Sequence, residues 1–143
     1  MKKINYKFSN SSVAYYLAGG ISRLKEIVDK NNTIIVTDEN VYNAHTKRFK
    51  NWNCIVLRPG EEYKIQPTVD EVIVRLIEME ADRKTTLVGV GGGVITDITG
   101  YVASVYMRGI SFAFIPTSLL AMLDASFGGK NGIDDGVYKN MVG

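Results

Sequence analysis

The amino-acid sequence predicts an α/β fold, a parallel sheet with helices on both faces. The first observation is that short apolar segments rich in β-branched residues alternate with amphipathic segments. Strands that are apolar along their whole length belong to parallel sheets, because both of their faces are buried. The second observation is a run of three glycines, Gly91, Gly92 and Gly93, where the apolar segment 85–90 meets a helical pattern of small residues. A strand that turns through glycine into a helix is typical of this class.

Each element is predicted from its local pattern. The N-terminal segments 4–8 and 13–17 are predicted as two short strands around the polar turn 9–12. Strands of the central sheet are predicted at 33–37, 54–57, 85–90 and 111–115. Helices are predicted over 22–30, 41–49 and 94–107.

A further helix is predicted to begin at Thr68. Glu71 follows three residues later, which is the spacing of a capping box. The residues Val72, Leu76 and Met79 then form an apolar stripe. Because the 143 residues contain no internal repeat or linker, the sequence predicts one domain.

Composition and charge exclude several classes of protein. A hydrophobic content of 45% with 22% charged residues is typical of a globular domain. The net charge of +2 is too small, and the basic residues are too scattered, for a nucleic-acid or membrane-surface partner. The sequence shows neither a secretory signal nor a membrane span of roughly 18 apolar residues. The single cysteine, Cys54, is expected to be a buried small hydrophobe in a reducing, cytoplasmic location.

The three glycines favour a phosphate site. Glycine lets the backbone approach a ligand closely and adopt positive φ, and the N–H groups at a helix start attract anions. The dinucleotide fingerprint, however, has glycines at its first, third and sixth positions. Here the sixth position is Val94 counted from Gly89, or Thr96 counted from Gly91. Two interpretations therefore stay open, a nucleotide cradle or a turn that lets a helix pack tightly on the sheet.

Four loops follow the carboxyl ends of the predicted strands, where ligands bind in an open parallel sheet. Their residues are small, hydroxylated or charged, and they are Asp38–Glu39–Asn40, Gly60–Glu61–Glu62–Tyr63–Lys64, Gly91–Gly92–Gly93 and Pro116–Thr117–Ser118. Loops are polar in general, but four of this kind at one edge favour a ligand site there.

Charged residues in and after the glycine-started helix add candidate chemistry. Asp97 lies in the first helical turn, where the helix dipole alone also favours an acidic residue. Arg108 lies eleven residues further on, about 16 Å along a helix, where it could simply compensate the dipole. Asp124 and Lys130 stand on either side of the glycine pair 128–129 and could form a surface ion pair of little energy.

The segment 91–134, GGGVITDITGYVASVYMRGISFAFIPTSLLAMLDASFGGKNGID, resembles the signature block of the 3-dehydroquinate synthase family. TDENV at 37–41, PGEEYK at 59–64 and the pair Lys139–Asn140 match the same family in the same order. The resemblance implies a Rossmann-like domain that binds NAD. It also implies a carbon–oxygen lyase of the shikimate pathway that converts 3-deoxy-arabino-heptulosonate 7-phosphate into 3-dehydroquinate and phosphate. Such enzymes use NAD catalytically and need a divalent metal, zinc or cobalt.

The resemblance implies roles for individual residues. Those expected at the cofactor are Asp38, Glu39, Asn40, Glu61, Glu62, Tyr63, Lys64, Gly92, Gly93, Val94, Asp97, Thr117, Ser118 and Lys139. Those expected at the heptulosonate phosphate, with catalytic roles, are Arg108, Asp124, Lys130 and Asn140. The cations among them suit a substrate that carries a phosphate and a carboxylate.

The sequence departs from the family pattern at several positions. Where the family usually has GGGVxGD, this sequence has Thr96 in place of the last glycine, and where it usually has GGKTGxN, this sequence has Asn131 and Asp134. The family's metal ligands are one glutamate and two histidines in a helical C-terminal domain. The single histidine of this sequence, His45, does not match either of those histidine positions. Residues 1–143 are therefore expected to be the NAD-binding N-terminal domain of a shortened chain, inactive alone and without metal ligands, from an enzyme that is a homodimer.

Two other functions stay open from the sequence. A related sugar-phosphate cyclase would apply the same NAD-dependent chemistry to another sugar phosphate. A non-catalytic module would bind a nucleotide at the glycine-started helix and do no chemistry.

Overall fold

The structure, a computed structural model, describes residues 1–127 and 129–143. Gly128, the first glycine of the predicted pair 128–129, lies outside the described residues. The chain begins with an antiparallel hairpin of β1 (Lys2–Lys7) and β2 (Ser12–Leu17). The predicted N-terminal strand pair is thus confirmed.

A parallel sheet follows, with its strands in the order β4–β3–β5–β6. These strands are β3 (Thr33–Asp38), β4 (Asn53–Leu57), β5 (Thr86–Gly91) and β6 (Ser111–Pro116). Val36 of β3 lies opposite Ile55 of β4 and Gly89 of β5. The four predicted central strands are confirmed, and their apolar character matches the burial of the inner strands on both faces.

Helices cover both faces of this sheet, as the sequence predicts. The helices are α1 (Glu39–Ala44), α2 (Thr46–Phe49), α3 (Gln66–Glu78) and α4 (Gly93–Val105). Ile35 of β3 packs in one core cluster with Phe49 of α2. Its neighbour Val36 points to the other face and packs in a second cluster with Leu76 of α3 and Ile98 of α4.

Two predicted helices differ from the structure. The segment 22–30 forms a 3-10 turn, Ile21–Glu26, because it buries only two apolar side chains, too little to stabilise a longer helix. Asp29 then accepts a hydrogen bond from the Asn31 N–H at 3.0 Å, a local bond that competes with helix continuation. The segment 41–49 forms two short helices that begin earlier, at Glu39, and meet at His45, whose φ of −131° is not helical.

The capping box predicted at Thr68 is wrong. Helix α3 begins two residues earlier, at Gln66, and no side chain caps it. Pro67 accounts for the earlier start, since proline fits the first helical turn, where an N–H has no partner in the helix. Thr68 is buried inside that turn, and its N–H donates to the carbonyl of Ile65 at 3.1 Å.

Strand β5 has glycine at positions 89 and 91 because helix α4 packs very close to it there. A Cβ at Gly89 would stand 2.7 Å from Thr99 Oγ1, and a Cβ at Gly91 would stand 2.6 Å from Ile95 Cβ. None of Gly91, Gly92 and Gly93 has positive φ, so the predicted use of positive φ at this turn is wrong. The glycines instead allow α4 to lie directly on β5.

After β6 the chain forms a π-helical turn, Ala121–Ala125, and an antiparallel hairpin of β7 (Ile133–Asp135) and β8 (Tyr138–Val142). The sequence analysis predicts no element in this part. Ile133 is buried in the same cluster as α3 and α4, and Asp134 forms a parallel bridge with Ile65. The hairpin is therefore joined to the carboxyl edge of the sheet.

Cys54 lies half-buried on β4, at the edge of the sheet. Burial raises the pKa of its thiol to about 11. Among the described residues, none of the helices combines the length and the apolar character that crossing a membrane requires.

We expect Gly89→Ala to lower the free energy of unfolding by about 1–3 kcal/mol, because the new methyl group would overlap Thr99 in a packed core. Urea denaturation measures this loss. The same change made in a Thr99→Ala background should cost less, since Oγ1 and Cγ2 of Thr99 are then gone. Equal costs in the two backgrounds would contradict the close-approach explanation.

Candidate functional site

The carboxyl ends of the parallel strands bring the predicted loops together. Thr37, near the end of β3, donates from Oγ1 to the carbonyl of Val90 at 2.8 Å. The N–H of Thr117, after β6, donates to the carbonyl of Gly91 at 2.9 Å. The loops that follow β3, β5 and β6 are therefore neighbours at one edge of the sheet.

The N-terminus of α4 is accessible at this edge. Gly92 is the N-cap, and no side chain caps the helix. Its first N–H groups thus carry the positive end of a 13-residue helix dipole and suit an anion. Thr96 does not obstruct this surface, because its side chain is buried and donates from Oγ1 to the carbonyl of Gly93 at 2.9 Å.

A buried ammonium group lies beside this helix start. Lys64 follows a short 3-10 turn after β4, and its side chain is only 5% exposed. Its Nζ lies 2.8 Å from Glu61 Oε1, 3.4 Å from Asp97 Oδ2 and 3.8 Å from Asp134 Oδ1. It also donates to Asn140 Oδ1 at 2.9 Å. One cation is therefore shared by three carboxylates and one amide.

Burial and charge act in opposite directions on this cluster. Burial disfavours the charged form of Lys64, but the hydrogen bond and the negative charge of Glu61, aided by Asp97 and Asp134, raise its pKa above the usual 10.5. Burial also raises the pKa of Asp97 above the usual 3.8, although Lys64 acts against this shift. Lys64 therefore stays charged at neutral pH, and Asp97 holds its proton more tightly than an exposed aspartate.

A cavity of about 340 Å³ opens next to the cluster. Its lining combines carboxylates, an ammonium group and amides, from Asp97, Asp124, Ala125, Lys130, Asn131, Gly132 and Asn140. Such a lining offers hydrogen-bond donors, acceptors and charges of both signs. It suits a small, polar, hydroxylated molecule better than an apolar one.

Asn131 and Asp134 are site residues that the sequence analysis does not single out. The amide of Asn131 lies against Gly100 of α4, where any Cβ would overlap it. Within the described part of the chain its Oδ1 is buried without a hydrogen-bond partner, which costs free energy until a donor is supplied. The signal for both residues is their departure from the usual GGKTGxN pattern.

The predicted substrate residues lie in two places. Asp124, Lys130 and Asn140 line the cavity. Arg108 is exposed beyond the C-terminus of α4, at the opposite end of that helix from Gly93, and does not line it. Helix α4 ends at Val105 because Tyr106 is extended, with a ψ of 125°, and Met107 then has a φ of 48°. The distance of about 16 Å from Asp97 to Arg108, which assumes one continuous helix, therefore does not apply.

The predicted cofactor residues lie along the carboxyl edge of the sheet. Gly92, Gly93 and Val94 form the start of α4, and Asp38 caps α1 by accepting a hydrogen bond from the Val41 N–H at 3.0 Å. Asp97 lies one turn further along α4, so its predicted place in the first helical turn is wrong, because the helix begins at Gly93. Lys64 is buried, and Tyr63 before it is half-buried. The exposed members of the set are Glu39, Asn40, Glu61, Glu62, Thr117, Ser118 and Lys139, and of these Glu61 reaches the ammonium of Lys64 from the surface.

Within residues 1–127 and 129–143, no group of three or more histidine, cysteine, aspartate or glutamate side chains is arranged to hold a metal ion. The three carboxylates of the cluster surround an ammonium group instead. His45 lies exposed in a different cleft, which residues 43–48 line between α1 and α2.

A family model described as 3-dehydroquinate synthase N-terminal matches residues 54–143, more than half of the chain. The chain belongs to the 3-dehydroquinate synthase family. The matched region begins in β4 and includes the glycine turn, the lysine cluster and the cavity lining. The resemblance stated from the sequence motifs is thereby confirmed.

Curated 3-dehydroquinate synthases match most of the chain. The Campylobacter hominis enzyme is 42% identical, over 86% of this chain and 38% of the enzyme. The Campylobacter concisus enzyme is 40% identical, over 98% of this chain and 41% of the enzyme. This member of the 3-dehydroquinate synthase family thus spans about two fifths of the length of these relatives.

Solved structures share the fold. A 2-deoxy-scyllo-inosose synthase aligns with a TM-score of 0.84 and 25% identity, over 99% of this chain and 44% of that one. A 2-epi-5-epi-valiolone synthase from Streptomyces hygroscopicus, with NAD⁺ and Zn²⁺ bound, aligns with a TM-score of 0.73 and 30% identity, over 78% of this chain and 34% of that one. The predicted Rossmann-like parallel sheet with helices on both faces is confirmed.

We expect Lys64→Met to lower the free energy of unfolding by about 2 kcal/mol near neutral pH, because three carboxylates lose their counter-ion. The pKa of Lys64 is higher in the folded than in the unfolded chain, so its charge stabilises the fold below about pH 10.5. That contribution is lost as the pH rises through the folded pKa. The difference between variant and wild type should also narrow in acid, where the carboxylates take up protons.

Urea denaturation at a series of pH values from about 4 to about 11 checks this expectation. Lys84→Met, at an exposed lysine in the loop before β5, is the matched control and should leave the free energy of unfolding nearly unchanged. If Lys64→Met lowers the free energy of unfolding by the same amount at every pH, then Lys64 stabilises the fold through packing and not through its charge.

Proposed function

We propose that residues 1–143 are the NAD-binding N-terminal domain of a 3-dehydroquinate synthase. The complete enzyme would convert 3-deoxy-arabino-heptulosonate 7-phosphate into 3-dehydroquinate and phosphate, a step of the shikimate pathway. One observation carries the proposal in this family member. The uncapped start of α4 and a polar cavity lie side by side, since Ala125 borders Gly93 and also lines the cavity together with Asp97, one turn into the helix. A cofactor on the helix start and a substrate in the cavity would be neighbours.

The start of α4 fits the diphosphate of NAD. A Cβ at Gly92 would lie 3.5 Å from Ser118 Oγ, and a Cβ at Gly93 would lie 3.9 Å from Ala125 Cβ, so neither position is crowded by a neighbouring side chain. The free N–H groups there supply donors and positive potential. The remaining cofactor contacts in this proposal are Asp38, Glu39, Asn40, Glu61, Glu62, Tyr63, Val94, Asp97, Thr117, Ser118 and Lys139.

Accepting a hydride from the substrate and later returning it is the chemistry that NAD supplies when bound. The cavity residues would hold and orient the substrate for this exchange. The exposed ammonium of Lys130 would offset the charge of a phosphate or carboxylate, and Asp124 and Asn140 would bind hydroxyl groups. Arg108 keeps a proposed substrate role through its match to the family pattern alone, since it lies outside the cavity.

We further propose that the divalent metal, zinc or cobalt, is bound by residues other than these 143, and that the complete enzyme is a homodimer. The chain alone would then be inactive. The 2-epi-5-epi-valiolone synthase structure, with NAD⁺ and Zn²⁺ bound, supports the pairing of nucleotide and metal in this fold.

A related sugar-phosphate cyclase is the second candidate, because the two solved structures described above are cyclases of other products. The 3-dehydroquinate synthases share more sequence with this chain, 40% and 42% against 25% and 30%, which favours the first candidate. Turnover of the heptulosonate phosphate by the complete enzyme, compared with a heptulose phosphate and a hexose phosphate, would separate them.

We expect isothermal titration of the 143-residue chain with NAD to show binding, with a dissociation constant on the order of 1 mM or lower. Gly92→Asp should abolish it, because a carboxylate at the helix start repels the diphosphate and takes up the free N–H groups. Gly136→Asp makes the same charge change in the β7–β8 turn, where φ is 59° and aspartate is tolerated, so it should bind like wild type.

Absence of binding by the wild-type chain at several times this concentration would reject the cofactor site. Undiminished binding by Gly92→Asp would place the nucleotide away from the start of α4.

In the complete enzyme, we expect Lys130→Ala to lower kcat/KM for the heptulosonate phosphate by about a hundredfold, because a charge-assisted contact to the substrate is lost. The dissociation constant for NAD should stay the same. Steady-state kinetics and NAD titration check the two parts, with Lys84→Ala as an exposed control. An unchanged kcat/KM would reject the substrate role of Lys130.

A further inference from the structure

We propose that the carboxylate of Asp134 weakens the binding of an anionic cofactor at the carboxyl edge of the sheet, and that it weakens the binding of NADH more than that of NAD⁺. The family usually has asparagine at this position, the last residue of GGKTGxN, so the carboxylate is a departure from the family pattern. The proposal rests on the proposed function, in which NAD binds at the start of α4.

Asp134 is a buried member of the cluster around Lys64. Its side chain is 10% exposed, and its Oδ1 lies 3.8 Å from Lys64 Nζ. The other two carboxylates at this ammonium, Glu61 and Asp97, stand in segments that match the family motifs PGEEYK and GGGVxGD. With asparagine at position 134 the ammonium would face two carboxylates, whereas here it faces three.

The hydrogen bonds of Asp134 do not require its charge. Its Oδ1 accepts a hydrogen bond from the Asn140 N–H at 2.8 Å. Its main-chain N–H donates to the carbonyl of Lys64 at 2.7 Å. An asparagine has the same N–H, and its amide oxygen accepts the same bond. At this position the two residue types therefore differ mainly in charge.

The cluster lies close to the proposed site of the cofactor diphosphate. Asp97, whose Oδ2 is 3.4 Å from Lys64 Nζ, comes four residues after Gly93, about 6 Å along α4. A nucleotide at the helix start, or one that reaches Lys64 itself, therefore meets the summed charge of the cluster. At a separation on the order of 10 Å, one unit charge changes the dissociation constant of a singly charged ligand by roughly two- to tenfold.

The two redox forms of the cofactor differ in charge. Both carry the diphosphate, but the nicotinamide ring is positively charged in NAD⁺ and neutral in NADH. A carboxylate near the site therefore repels NADH more strongly than NAD⁺. Because the proposed reaction begins with hydride transfer from the substrate to NAD⁺, the carboxylate of Asp134 favours the form that begins each turnover.

Isothermal titration of the 143-residue chain with NAD⁺ and with NADH, at an ionic strength of about 0.1 M, tests the proposal. In Asp134→Asn we expect the dissociation constant for NAD⁺ to fall about threefold and that for NADH to fall further. Asp135→Asn removes the same charge at the exposed next residue, where salt screens it, and should change neither constant. Urea denaturation should show that both variants are folded.

An unchanged or raised dissociation constant in Asp134→Asn would overturn the proposal. An equal fall for NAD⁺ and NADH would overturn it too, because it would indicate a change of shape and not of charge. So would an equal fall in Asp135→Asn, since any surface carboxylate would then suffice, and so would an unfolded Asp134→Asn, whose hydrogen bonds would then require the charge. A wild-type chain that binds neither form would instead reject the cofactor site of the proposed function, and this proposal with it.

Discussion

The close packing of α4 on β5 is the constraint on which the candidate site depends. Gly89 and Gly91 present no side chain between the helix and the sheet, so Thr99 and Ile95 rest directly on the strand. This contact sets where the first N–H groups of α4 emerge at the carboxyl edge. It also sets the position of Gly100, which lies about one turn beyond Asp97 in α4. The amide of Asn131 packs against Gly100. Helix start, carboxylate and cavity wall therefore share one rigid support.

The two lysines of the site differ in their surroundings. The ammonium of Lys64 is buried among three carboxylates. Lys130 is exposed at the cavity, and its charge is available to a ligand. The cluster around Lys64 carries more negative than positive groups, and Lys130 adds a positive charge to the cavity lining beside it. Burial thus distinguishes a charge enclosed by the protein from one that is open to the cavity.

Periodicity predicted the sheet because β3 and β5 are buried on both faces, which leaves an unbroken apolar signature. The helix predicted over 22–30 is shorter in the structure, because this segment buries only two apolar side chains. The capping box predicted at Thr68 is absent, because Pro67 in the first turn lets α3 begin at Gln66. The strand-end rule placed 60–64 and 91–93 at one edge. The partners of Lys64 were beyond sequence reasoning, since Asn140 lies 76 residues away and reaches it only through the fold of a hairpin that no pattern predicts.

The half-buried thiol on β4 gives access to the dynamics of the sheet. With a pKa of about 11, Cys54 is almost wholly in the unreactive thiol form at neutral pH, and it is the single cysteine in the sequence. A disulfide reagent would then modify the chain mainly when the packing around Cys54, which includes Phe49 of α2, opens. The rate at which Cys54 is modified would then report how often this packing opens, and no probe would have to be introduced. A ligand bound at the ends of β5 and β6 would slow this modification only if its binding also restrains the packing around β4.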